Sequence, residues 1–102
     1  MTFIQTISFS TSRMDEMQKL MATFADEARQ PGRSAPGFLG TKVLKDRDRE
    51  DAYMVVAEFE SYELAMENSA RPETGAFAKQ MGEMSDGPPV FGNYDLVHEE
   101  KP

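Results

Sequence analysis

The sequence predicts an α+β domain of element order β-α-β-β-α-β, with a four-stranded antiparallel sheet and its helices on one face. Three observations carry this. Apolar residues recur at period two in four short stretches and at helical spacing in the segments between them. The changes of period are marked by Pro/Gly steps, a dense charge run or a serine placed to cap a helix. The chain has 102 residues, room for one domain over 1–102 and too few for two ordinary ones.

The elements follow in order. Residues 2–10 place Phe3, Ile7 and Phe9 on one face at period two, with Gln5 between them, which reads as a strand. Ser12 stands three residues before Asp15 as an expected N-cap. Met14, Met17, Met21, Phe24, Ala25 and Ala28 then follow at helical spacing, with Asp15, Glu16, Lys19 and Asp26 largely opposite. Pro31-Gly32 stops this helix. A second strand is expected from Phe38 to about Lys45 and a third from Ala52 to Glu60. In the third, Tyr53, Val55, Ala57 and Phe59 share one face, and Met54 and Val56 the other. The short polar link Asp46–Asp51 makes the two a hairpin. Ser61 is placed to cap the next helix, with Glu63 in its first turn. That helix runs from about 62 to 70, breaks near Arg71-Pro72 and resumes from about 73 to 84. Asp86-Gly87-Pro88-Pro89 is a stop, and a fourth strand runs from Val90 to about His98. Two βαβ units sharing a central hairpin form the split, ferredoxin-like arrangement.

Such a sheet has one face without helices. A solvated face calls for clean apolar/polar alternation. Here the third strand is apolar on both faces through Val56. Ile4 lies opposite the Phe3/Ile7/Phe9 face, and Phe38-Leu39 and Val43-Leu44 are adjacent apolar pairs. An exposed apolar face of that extent is unusual for a monomer, so a homodimer packed sheet against sheet about a two-fold axis is expected.

Composition removes several function classes. The net charge of -7 opposes a phosphate backbone, so nucleic acid is not an expected partner. The basic residues near Lys45, Arg47 and Arg49 are interleaved with Asp46, Asp48, Glu50 and Asp51 and read as a solvated hairpin tip. There is no cysteine, which excludes disulfides, thiol nucleophiles and cysteine metal sites. No apolar run reaches the roughly 20 residues of a membrane helix, and no signal-peptide pattern opens the chain, so no membrane partner and a cytoplasmic location are the expectation. The only histidine, His98, falls at a strand end, and no His-Glu-x-x-His spacing gathers metal ligands. No metal and no cofactor are expected.

Three local features carry a family resemblance. Ala35-Pro36-Gly37-Phe38-Leu39-Gly40 leads into the second strand. Glu58-Phe59-Glu60-Ser61-Tyr62-Glu63 has an aromatic-x-Ser-x-Glu step into the second helix. Asn68-Ser69, with Pro72 and Phe77 beyond, forms a broken second helix. With the element order, they make the chain resemble the dimeric α+β barrel superfamily, and within it the antibiotic-biosynthesis monooxygenase domain. The resemblance implies a pocket between helices and sheet that takes a small aromatic or hydrophobic molecule. It also implies a cofactor-independent monooxygenase activity. A non-catalytic ligand-binding or assembly module, and an isomerase or cyclase of a small lactone or polyketide, are the alternatives. The chain has no tryptophan, so Phe59 stands at the family's aromatic position after the third strand; no histidine lies on the second helix, so the haem-degrading constellation is absent.

Within that pocket, Asn68 and Arg71 at the helix break, together with Tyr53, are the candidate catalytic groups. Helix irregularities free backbone groups and often sit at functional sites. Asn68 could hold a carbonyl or peroxide-like oxygen, Arg71 could pair with an enolate, and a tyrosine offers an apolar ring with one hydroxyl. Phe59, Met66, Phe77, Met81 and Met21 are the expected substrate-lining residues, since flexible thioethers adapt to varied apolar shapes.

Overall fold

The computed structural model describes residues 1–33 and 35–102. Its elements are β1 (Phe3–Ser10), α1 (Met14–Ala28), β2 (Phe38–Lys45), β3 (Ala52–Phe59), α2 (Tyr62–Ser69), α3 (Pro72–Met84) and β4 (Val90–Asp95). The sheet order is β2-β3-β1-β4, with each neighbouring pair antiparallel. This is the expected α+β, ferredoxin-like order, with the second helix divided in two.

Strand register lays the helix-facing side out in rows. One row runs Phe38, Phe59, Phe3, Asp95 across the sheet. The next runs Thr41, Ala57, Gln5, Asn93, and the third Val43, Val55, Ile7, Phe91. Lys45, Tyr53 and Phe9 follow. One extra residue, Leu39, bulges out of β2 between the Phe38 and Gly40 pairings. The bulge puts Phe38 and Val43 on the helix-facing side and Leu44 on the other.

Two apolar clusters sit on that side. Phe9, Met17, Val55 and Met81 form the larger, joined by Ile7, Met14, Leu20, Met21, Tyr53, Phe77 and Met84 under α1 and α3. Phe3, Phe59 and Ala65 form the smaller, joined by Ala57 and Met66 under α2. Phe24 of α1 stacks on Phe77 of α3 with ring centroids 4.3 Å apart, which clamps the two helices together.

The helix ends show why the elements stop where they do. Ser61 is extended and its Oγ accepts the Leu64 N–H at 3.2 Å, as the sequence led us to expect. Arg71 is held extended (φ -71, ψ 138), the conformation required before a proline, and Pro72 opens α3 where its missing N–H costs nothing. At α1 the expected Ser12 cap is replaced. The helix starts at Met14, its cap position is Arg13 with no side-chain cap bond, and Ser12 is exposed. The neighbouring Thr11 is the buried polar group instead. It is 0% exposed, accepts the Arg13 N–H at 3.0 Å and donates to the Met84 carbonyl at 2.6 Å. A hydroxyl one residue earlier wins because the end of α3 returns to it and offers a free carbonyl.

β4 also ends earlier than expected, at Asp95 rather than near His98. Leu96 still donates to the Thr2 carbonyl at 2.9 Å, but β1 starts at Phe3 and offers no further partner. The helix-free face is mixed rather than wholly apolar: Ile4, Met54 and Val56 are half-buried and Leu44, Val90 and Tyr94 exposed, but Lys42, Glu58, Thr6 and Ser8 share it, and Phe38 and Val43 lie on the other side.

Candidate functional site

The row Thr41–Ala57–Gln5–Asn93 is the feature of the helix-facing side that packing alone does not explain. On β1 it passes between Phe3 of the smaller cluster and Ile7 of the larger, while on β3 its Ala57 packs with the smaller cluster. Gln5 sits in phase with Phe3, Ile7 and Phe9, so its amide points to the side where its strand neighbours are core. Gln5 Nε2 donates to Asn93 Oδ1 across the β1–β4 pair at 3.5 Å, the outer limit of a hydrogen bond. Gln5 is half-buried and Asn93 exposed, so solvent reaches this band. Its flanks are apolar. Phe3 and Met66 belong to the smaller cluster, and Ile7 and Phe77 to the larger.

The helix break supplies the nearby polar groups. Asn68 is half-buried two residues beyond Met66, and its Oδ1 accepts the Thr74 hydroxyl at 3.4 Å. Among the described residues its Nδ2 donors have no hydrogen-bond partner. Arg71 Nη2 donates to the Arg33 carbonyl at 3.1 Å, and its Nε lies 3.5 Å from Glu73 Oε1. The guanidinium therefore ties the segment after α1 to the break.

The structure brings some expected site residues together and separates others. Met21, Phe77 and Met81 pack in the larger cluster and Phe59 and Met66 in the smaller, while Asn68 and Arg71 stand at the break between α2 and α3. Tyr53 stands at the other end of α3. It stacks on Phe9 at 5.8 Å near Met84, whereas Asn68 and Arg71 precede Pro72. The 13 residues of α3 span about 20 Å at 1.5 Å per residue. Phe59 and Met81 are 3% and 7% exposed, embedded in the two cores. Sequence reasoning passed over Gln5 and Asn93 as site residues. The available signal was a polar residue in phase with three apolar ones on β1; Asn93 carries no such mark until the β1–β4 register is known.

Other features lie apart from this band. Concave surfaces open to solvent occur at the β2–β3 tip, lined by Lys45–Asp51, and at the start of α1, lined by Thr11–Glu16 with Asp51 and Tyr53. His98 has a 72% exposed side chain, 3.0 Å from Glu100. Among the described residues, no cluster of three or more His, Asp or Glu could hold a metal ion, and no helix is long and apolar enough to cross a membrane.

The fold matches solved structures along nearly its whole length. SnoaB, a cofactor-independent oxygenase from Streptomyces nogalater, solved in an asparagine-to-alanine variant, superposes with a TM-score of 0.78 at 20% identity, covering 96% of this chain and 95% of that one. A candidate antibiotic biosynthesis monooxygenase from Caulobacter crescentus gives 0.80 at 18% identity, covering 95% and 91%. A similar candidate from Deinococcus radiodurans gives 0.77 at 14% identity, covering 98% and 97%. At these identities the likeness is one of fold. No curated protein sequence matches the chain. The sequence model of the antibiotic biosynthesis monooxygenase family matches residues 2–80, most of the chain, and the chain therefore belongs to that family.

Proposed function

We propose that the protein is a cofactor-independent oxygenase that binds a small, flat aromatic molecule over the Thr41–Ala57–Gln5–Asn93 row and works as a homodimer. The observation that carries the reading is the Gln5–Asn93 polar pair, with Gln5 set between the apolar Phe3 and Ile7 on the side of the sheet that carries the broken helix. A binding site of this type pairs apolar walls with a few placed polar groups. The family membership and the oxygenase named among the structural neighbours support the same reaction class.

The chemistry asks little of the protein. An ionised phenol or enol activates a ring CH2, whose carbon forms a C–O bond to dioxygen and reduces it to a hydroperoxide. Loss of water, taking the remaining hydrogen from that carbon, leaves a carbonyl. The carbon supplies all four electrons, one oxygen atom enters the product and the other leaves as water. The walls formed by Met66, Phe77 and Met21 hold the ring and exclude bulk water. A free N–H of Asn68 steadies the developing oxyanion, where a preorganised donor is most effective. Arg71, committed to Arg33 and Glu73, acts by holding the break in place. The second subunit covers the apolar sheet face around Val56 and Leu44.

Oxygen uptake over a panel of quinol- and anthrone-like aromatics tests this. One dioxygen consumed per substrate is expected, without added flavin or metal, and Asn68→Ala should slow it about 100-fold. A flat trace from protein that binds the aromatics assigns a non-catalytic ligand-binding module instead.

A further inference from the structure

We propose that the Gln5–Asn93 amide pair is the polar anchor of this site and selects an uncharged ligand oxygen, a carbonyl or phenol, over a carboxylate. The inference deepens the reading above and rests on it. Three observations carry it.

The first is position. Gln5 and Asn93 are directly paired residues of β1 and β4 on the helix-facing side, and along β1 Gln5 stands between Phe3 of the smaller core and Ile7 of the larger. Cross-strand partners stand about 4.5–5.5 Å apart at Cβ, so one ligand oxygen can reach both amides.

The second is unspent hydrogen-bonding capacity. Each amide offers two N–H donors and an oxygen with two lone pairs. The pair uses one donor and one lone pair between them, at 3.5 Å. A contact that long is exchanged at little cost for a ligand oxygen at normal distance.

The third is charge. Thr41, Ala57, Gln5 and Asn93 are all neutral, and the charged group nearest along the strand on the same face is Asp95, two residues beyond Asn93. A carboxylate brought to this row would give up its hydration for neutral donors beside an anion. A phenol or ketone surrenders far less hydration and gains the same donors. The cation at the helix break, Arg71, is engaged by the Arg33 carbonyl and Glu73.

Naphthalene, 1-naphthol, 1-tetralone and 1-naphthoate, titrated against the full chain, test the inference by fluorescence and by NMR of the side-chain amides. One good hydrogen bond is worth up to about tenfold in affinity. The expected result is 1-naphthol and 1-tetralone binding up to about tenfold tighter than naphthalene, 1-naphthoate binding weakest, and the Gln5 and Asn93 NH2 signals moving with the first two. Gln5→Met and Asn93→Leu, which keep the side-chain bulk, should erase the preference yet leave naphthalene binding and the melting temperature near the parent values. A preference that survives in both variants, or 1-naphthoate binding best, overturns the anchor and leaves the aromatic site standing. Failure of all four probes to bind the parent protein overturns the site itself, and the anchor with it.

Discussion

Thr11 shows how a single hydroxyl fixes the join of three elements. Its N–H reaches the Asp51 carbonyl at 2.9 Å, its Oγ accepts from Arg13, and its hydroxyl proton goes to the last residue of α3. Thr11→Val keeps the shape and removes both side-chain bonds, leaving the Met84 carbonyl and the Arg13 N–H without this partner. Urea unfolding should show a loss of about 1–3 kcal/mol. Ser12→Ala, by contrast, should change stability by less than about 0.5 kcal/mol, since Ser12 is exposed and caps nothing. The sequence reading chose Ser12 because local spacing favours it. Thr11 wins through Met84, 73 positions away, and no local rule contains that contact. Gln5 is the opposite case. Its phase with Phe3, Ile7 and Phe9 was visible from the start, but a polar residue on a core face gains meaning only when Asn93 is known to stand opposite it.

The broken helix is the element on which the proposed site depends. An unbroken helix from Tyr62 to Met84 would run one apolar stripe along the sheet. Instead Pro72 forces Arg71 into an extended conformation, α2 attends to the Phe3/Phe59 cluster and α3 to the Phe9/Met17 cluster. Along β1, Gln5 is left between them. This break was legible in the sequence, because Pro72 interrupts an otherwise periodic pattern. The role of each lining residue was less so. Phe59 and Met81 have the right type and spacing for a pocket wall, yet both are core, because the depth of a side chain depends on how the helices are seated. Phe77 is half-buried and seats α3 on α1 by stacking on Phe24. Phe77→Ala should lower stability by about 2–4 kcal/mol, in calorimetry or denaturant unfolding, toward the lower end because the ring is not fully enclosed. Arg71→Ala should cost much less in stability, because its ion pair with Glu73 is partly exposed.

For the molecule as a whole, element order, hairpin and sheet were all readable from periodicity and punctuation. The register bulge at Leu39 and the early end of β4 were not, because both depend on which partner residues are available across the sheet. The helix-free face remains the unbalanced part of the fold. Val56 lies at its middle, paired with Thr6 on one side and Lys42 on the other. If two copies meet there, Val56→Asp places like charges in a desolvated interface. Native mass spectrometry should then show a dimer for the parent chain and a monomer for the variant, with the circular dichroism spectrum preserved.

The proposed function requires a flat aromatic molecule to enter between the helices and the sheet. The chain has 8 methionines, and they report on separate regions. Met66 and Met21 border the proposed site, Met17 and Met81 are in the core, and Met54 lies on the helix-free face. The most direct test is a methyl NMR titration of methionine-labelled protein with 1-naphthol. Met66 and Met21 should move first and furthest while Met54 stays in place; movement confined to Met54, or no movement at saturating ligand, overturns the proposed site.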